Sequence, residues 1–297
     1  MQGRALLAVS VLSAILITVG TTVALVLLEP AASKGEALKT GGLAGGAIVA
    51  LYALWLNDRR RRTEEARHEL ESDKIADERF TRSVELLGNE ADQVRVGALH
   101  ALAWHADTTP RYRQTVIDVL CAYLRRPFHD PAASANGTRP DPAELLAVDR
   151  ERQVRSTAQR LIADLLPWGQ SEDTRVYHLD LSGAHLEHFR LEGRRIGRLV
   201  ARGARFVGIT QMNELQASKP VLLTDASFAG RLTLRDARLD GGLSVKDSTF
   251  ASEVALAGAA VSTFLDARGA APPIMVGGLS VAPGTRVDGD GNGWVAT

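Results

Sequence analysis

Apolar positions along the chain obey four different rules in succession. From Ala5 to Leu28 they run together, 24 residues without a charge: ALLAVSVLSAILITVGTTVALVLL. As a helix this stretch is ~36 Å long, enough for the ~30 Å hydrocarbon layer of a membrane. Arg4 before it and Ala31, Ala32 and Ser33 after it also suit a cleavable signal peptide. The apolar region of such a peptide covers roughly 7–15 residues, however, and this one is far longer. A second run, GGLAGGAIVALYALWL from Gly41 to Leu56, ends in Tyr52 and Trp55, and Arg59, Arg60, Arg61 and Arg62 follow. An aromatic belt with a positive flank marks a cytoplasmic membrane boundary. The expectation is a transmembrane hairpin over residues 1–62, with spans at about 5–28 and 41–56 and a loop from Glu29 to Thr40. Both termini then lie in the cytoplasm and the protein is multi-pass in the cell (plasma) membrane. Gly41, Gly42, Gly45 and Gly46 form two overlapping GxxxG pairs, which allow close approach to the other span or to a second copy of the chain.

Residues 63–170 follow the helical rule. Ile75, Phe80, Val84 and Leu87 lie at helical spacing in a charged segment; VRVGALHALAWHA, from Val94 to Ala106, is apolar and helical. Thr109 and Pro110 supply an N-cap and a first-position proline for a helix carrying Val116, Val119, Leu120, Tyr123 and Leu124 on one stripe. A proline-rich linker spans Arg126 to Arg139. Asp141-Pro142-Ala143-Glu144 then starts a helix with Val154, Ala158, Leu161, Ile162 and Leu165, stopped by Pro167. The VRxxAxxAL wording resembles a HEAT-type helix pair, so this segment is expected to be a cytoplasmic helical domain.

From Thr174 the period becomes five. Val176, Leu181, Leu186, Leu191, Ile196, Ala201 and Phe206 hold one register; Leu179, Ala184, Phe189, Leu199, Ala204 and Ile209 hold a second, two residues earlier. Neither a helix nor an ordinary strand repeats every five residues, but a square coil does if each side sends one central residue and one small neighbour inward. Arg194 stands where this register asks for an apolar residue. After QMNELQASKP the period is eleven. Phe228, Leu239, Phe250 and Val261 align, as do Leu232, Leu243 and Val254, and Leu234, Val245 and Leu256. Ala226, Ala237, Ser248 and Ala259 supply the small residue, with Asp225, Asp236 and Asp247 before it. Stacked coils bury a face that no single coil could bury alone.

The five-residue units, seen in Ala184-His185-Leu186 and Ala204-Arg205-Phe206, resemble the A(D/N)Lxx motif of the pentapeptide-repeat family. With two apolar N-terminal runs and the stretch ERFTRSVELLGNEADQVRVGALHALAWHADTTPRYRQTVIDVLCAYLRRPF, the chain resembles bacterial membrane-anchored pentapeptide-repeat proteins. That resemblance implies a mixed fold class: a membrane hairpin, a helical middle, and a C-terminal right-handed β-helix over residues 174–297. It implies architecture more than activity.

Composition narrows the function. Lysine plus arginine equals aspartate plus glutamate at 35 each, so the whole molecule favours no partner by charge. One cysteine, Cys121, excludes an internal disulfide and suits a reducing compartment. It lies on an apolar stripe without an evident base and reads as buried and inert. His185 and His188, three apart with Glu187 between them, have a metal-compatible spacing but flank the inward Leu186. His100 and His105 fall on different faces of a helix. Asp288, Asp290, Asn292 and Gly293 match the start of a calcium loop, yet the sequence stops before the glutamate such a loop needs. No phosphate-cradling loop, paired-cysteine motif or nucleophile elbow occurs, so neither an enzyme nor a cofactor or metal is expected.

Charge is uneven in one place: Arg190, Arg194, Arg195, Arg198, Arg202 and Arg205 face one acid, Glu192, within sixteen residues. They pair with acids on neighbouring coils or form an anion-facing patch toward membrane lipid or an acidic protein. Some pentapeptide-repeat proteins mimic DNA, which would make this a modulator of a nucleic-acid enzyme. That role needs an acidic solenoid, and residues 174–297 carry 14 basic and 12 acidic side chains. The reading is a membrane-anchored scaffold with an unknown protein partner and no nucleic acid, self-associating through the membrane glycines or the open end of the solenoid.

Overall fold

The structure, a computed structural model, describes residues 12–21, 23, 24, 27, 34–128, 141–289 and 293–296. Contacts divide the chain into two units, Met1–Asp77 and Glu78–Thr297. In the first, residues 12–21 are helical, and the rest of the 5–28 run lies largely outside the described residues. Helix α1 (Lys34–Leu86) is continuous over 53 residues, so Lys34 to Thr40 are helix where a loop was expected. Among the described residues no helix is long and apolar enough to cross a membrane, and the two-span hairpin is not supported there. The run from Gly41 to Leu56 shows why: sixteen residues make ~24 Å of helix, short of the ~30 Å layer. Its positive flank is also partly neutralised, since Arg60, Arg61 and Arg62 pair with Glu64, Glu65 and Asp58.

The second unit begins with the end of α1. Phe80 and Val84 pack against helices α2 (Asp92–Thr108), α3 (Arg113–Leu124) and α4 (Pro142–Leu165). Leu99, Leu102, Ile117, Leu120, Leu124 and Ile162 are fully buried there. Ile75 is exposed and does not join them. Asp141 caps α4 as its sequence predicts, accepting from the Ala143 N–H at 3.1 Å. Thr109 makes no side-chain cap; Pro110–Tyr112 forms a single 3-10 turn instead, and α3 starts at Arg113. The linker lies largely outside the described residues.

From Leu179 onward the chain winds a four-sided β-solenoid of about five turns, each side a parallel sheet of two- and three-residue strands. The first side stacks Leu179–Asp180, Leu199–Val200, Val221–Leu222, Leu243–Ser244, Phe264–Asp266 and Arg286–Asp288. The second stacks His185–Glu187, Arg205–Val207, Ser227–Phe228 and Thr249–Phe250. The third holds Thr210–Gln211, Leu232–Thr233, Glu253–Ala255 and Ile274–Val276; the fourth holds Arg195–Ile196, Gln216–Ala217, Arg238–Leu239, Ala260–Val261 and Ser280–Val281. On the first side Leu179 pairs with Leu199 and then Val221, Leu243, Leu265 and Val287, so the first coil takes 20 residues and the later ones 22.

The period of eleven is therefore half a coil. Phe228 and Phe250 project inward from the second side, and Leu239 and Val261 meet them from the fourth. The five-residue registers are likewise buried, except for Val176 and for Ile209, which is 45% exposed while Thr210 takes the inward place beside it. Between sides the chain turns sharply. The Ala226, Ala237 and Ser248 N–H groups donate to Leu223, Leu234 and Val245, and the aspartate before each stands at φ near +55°. Aspartate tolerates this left-handed conformation better than most residues, which explains its recurrence.

Inside, an aromatic column fills the second side. Phe206 and Phe228 stack at 4.6 Å with planes 2° apart, and Phe228 and Phe250 at 5.0 Å and 5°. Trp294 closes the far end: it is 2% exposed, tilts against Phe250 at 5.7 Å, and its Nε1–H donates to Ala270 O. The glycine-rich tail thus carries a lid, while Asp290 and Asn292 lie outside the described residues.

Candidate functional site

The near end of the solenoid is closed by helices, and polar side chains make the seal. A first coil exposes the backbone edge of its strands, with no coil above to pair it. Gln114 of α3 supplies the missing partner: its Nε2 donates to His178 O and its Oε1 accepts from His178 N, both at 2.9 Å. One side-chain amide thereby imitates a strand residue. Arg125 pairs with Asp180 at 2.6 Å, and Arg152 of α4 with Glu187 at 3.1 Å.

Arg155 of α4, only 3% exposed, binds more deeply. Its guanidinium donates to the carbonyls of Leu124, Arg126 and His185, which joins the end of α3 to the first coil. Burial lowers its pKa from the ordinary value, and the charge of Glu151, 3.8 Å away, opposes that shift. Glu151 also accepts from Arg95 at 2.5 Å and from the Tyr123 hydroxyl at 3.1 Å, so this half-buried carboxylate has several partners.

Beside the seal, α4 and the stretch 185–194 bound a cleft of 810 Å³. Its lining is rich in cations: five arginines (Arg152, Arg155, Arg160, Arg190, Arg194) and two histidines against Asp164, Glu187 and Glu192. Arg194 accounts for the polar residue in an apolar register. It donates to Leu166 O at 3.0 Å, approaches Asp164 at 3.6 Å and lies 3.8 Å over the Trp168 ring, holding the chain that leaves α4. Gly193 makes room for that indole, since a Cβ there would sit 2.9 Å from it. Arg152, Arg155 and Arg194 are thus engaged within the protein. Arg160 and Arg190 are exposed, and among the described residues neither forms an ion pair.

The six arginines of the charge cluster do not share one face. Arg190 bridges toward the third side and Arg195 is in the fourth. Arg198 and Arg202 flank the first, and Arg205 is in the second. Arg195 donates to the carbonyls of Gly169, Ser171 and Asp173, a structural role like that of Arg194. Arg190, Arg198, Arg202 and Arg205 are exposed, and among the described residues none pairs with an acid on a neighbouring coil.

The remaining candidates sort by burial. His185 packs against Phe128 at 4.6 Å and meets Glu187 at 3.1 Å; burial lowers its pKa and Glu187 works against that. His188 is exposed, and no metal-holding group of histidine, cysteine or acid occurs among the described residues. His100 is exposed, while His105 is 4% exposed and packs against Tyr112 at 4.7 Å. Cys121 is 1% exposed, and burial pushes its thiol up to about 12. Gln114, Arg155, Trp168 and Trp294 are the residues that sequence periodicity passed over. Comparison with protein-family models, with curated proteins and with solved structures finds no match.

Proposed function

We propose that this is a non-catalytic interaction protein, held at the inner face of a membrane by residues 1–62 and presenting a rigid, helix-sealed solenoid to an anionic partner. The observation that carries the reading is the set of exposed guanidiniums at Arg190, Arg198, Arg202 and Arg205, which have no acidic partner among the described residues. A folded domain that displays fixed, uncompensated charge attracts opposite charge and gains little stability from it. Because these arginines lie on different sides of the first coils, the partner is an acidic protein that reaches round more than one of them.

Membrane attachment rests on the uncharged run from Ala5 to Leu28, with the Tyr52, Trp55 and Arg59 cluster marking the boundary. Trp55 and Arg59 are in contact, the guanidinium 5.3 Å from the ring. The solenoid and the C-terminus are cytoplasmic in this reading. The square coils of 20 and 22 residues support kinship with pentapeptide-repeat proteins, whose family supplies the proposed right-handed winding.

The test is fractionation of cells that make the full chain with a tag after Thr297. The chain is expected to stay with membranes after carbonate washing, to expose its tag on the cytoplasmic side, and to become soluble without residues 1–62. A soluble full-length chain, or an external tag, refutes the tethering.

A further inference from the structure

We propose that the cleft between α4 and the first coil binds a small organic oxyanion, a molecule bearing phosphate or carboxylate groups, through Arg160 and Arg190. The inference deepens the reading of this protein as an interaction module and does not depend on membrane attachment. Size is the first support. At 810 Å³ the cleft lies within the roughly 300–1,000 Å³ of ordinary small-molecule sites.

Charge is the second. Of its five arginines, three are tied to carbonyls and carboxylates of the protein, while Arg160 and Arg190 are not. A planar guanidinium presents paired donors that match phosphate and carboxylate oxygens. The two unengaged groups come from opposite walls, one from the helix and one from the coil. Those walls are fixed to each other by Arg155 and by the Arg152–Glu187 pair, so the backbone positions that carry the two charges are set before any ligand arrives.

A third observation is independent of charge. Gln159, which also lines the cleft, is 7% exposed, and its Oε1 has no hydrogen-bond partner. A buried amide oxygen without a donor is costly to maintain, and a turn of the Gln159 amide toward the cleft would let a ligand N–H or O–H satisfy it. Trp168, 56% exposed, adds an apolar wall. Together these features ask for an organic body carrying an oxyanion and a donor, more than for a bare ion. A long polyanion fits less well, because Arg198, Arg202 and Arg205 lie on other sides of the coil and give it no continuous track.

The experiment is calorimetric titration of the full chain in mild detergent with ATP, citrate and inorganic phosphate. ATP or citrate is expected to bind more tightly than inorganic phosphate, and binding should weaken with added salt. Preference between the two assigns the anion as phosphate or carboxylate. Arg160→Gln and Arg190→Gln should each weaken the preferred probe by about tenfold or more, and Arg238→Gln, on the fourth side, should leave it unchanged. Both positions are exposed, so the melting temperature should hold. If a glutamine variant fails to fold, Arg160→Lys and Arg190→Lys replace it, with a several-fold loss expected from the missing fork. Absence of heat with both organic probes, equal affinity for inorganic phosphate, or affinity unchanged in both variants overturns the proposal. The fractionation result would stand apart from any of these.

Discussion

Replacing Phe228 tests the interior of the solenoid at its most constrained point. The ring is 2% exposed, in the middle of the aromatic column, with Phe206 at 4.6 Å on one side and Phe250 at 5.0 Å on the other. Truncating a buried phenylalanine to alanine costs about 3–5 kcal/mol in lost transfer energy and cavity. Each near-parallel ring contact is worth ~0.5–1.5 kcal/mol beyond burial, so Phe228→Ala should lose about 5 kcal/mol. Phe228→Leu restores most of the apolar volume but neither ring contact and should lose about 1–2 kcal/mol. Leu239→Ala, fully buried on the opposite side without an aromatic column, should lose ~3 kcal/mol. The measurement is guanidinium unfolding followed by far-ultraviolet circular dichroism, with slopes compared because coils couple to their nearest neighbours. A Phe228→Leu midpoint equal to the native one would show that the parallel rings add nothing beyond volume. A loss below about 1 kcal/mol for Phe228→Ala, against the ~3–5 kcal/mol of a buried ring, would refute the inward register itself.

Other expectations are local. Gln114→Leu removes both bonds to the His178 backbone and should cost about 1–3 kcal/mol; faster exchange of the His178 amide would show it, and unchanged protection would mean that the seal lies elsewhere. Cys121 should resist thiol reagents in the native chain and react on unfolding, since its thiol is pushed up to about 12 by burial. Stability should fall as pH drops below 6.5, because burial lowers the pKa of His178 and His185 and the unfolded chain takes up those protons first. A second decline should follow between 3.8 and about 2, where Asp173, held down by the Arg175 guanidinium, loses its charge. Unfolding midpoints that stay flat from about pH 7 to 5.5 would refute the histidine part.

The solenoid was legible because its burial is periodic. Leu186, Phe206, Phe228 and Leu239 are inward as their spacing requires. The helix beginning at Asp141 was legible because capping is a local interaction. What stayed hidden depends on pairs distant along the chain: Gln114 finds His178, and Arg155 finds His185, through the packing of a helix on a coil. A lone glutamine on a helix has no pattern that announces such a partner. Arg194 offered a signal, a polar residue in an apolar register, although its meaning came from Trp168 and Leu166. The arginine cluster looked like one patch because six charges are close in sequence; a chain that turns every five residues spreads them over all four sides.

The two periods of the solenoid set the increments by which such a molecule can change its length. Eleven residues preserve inside and outside, but they carry the chain only halfway round. An insertion or loss of eleven would keep every apolar side chain inward while moving all later coils to the opposite wall. Phe250 would then stand over Leu239 on the fourth side, and Trp294 would arrive above the wrong column. Twenty-two residues return each column to itself, from Phe206 to Phe228 to Phe250. A lineage of such chains can therefore lengthen by whole coils with its lid in place, whereas half a coil demands a new interior.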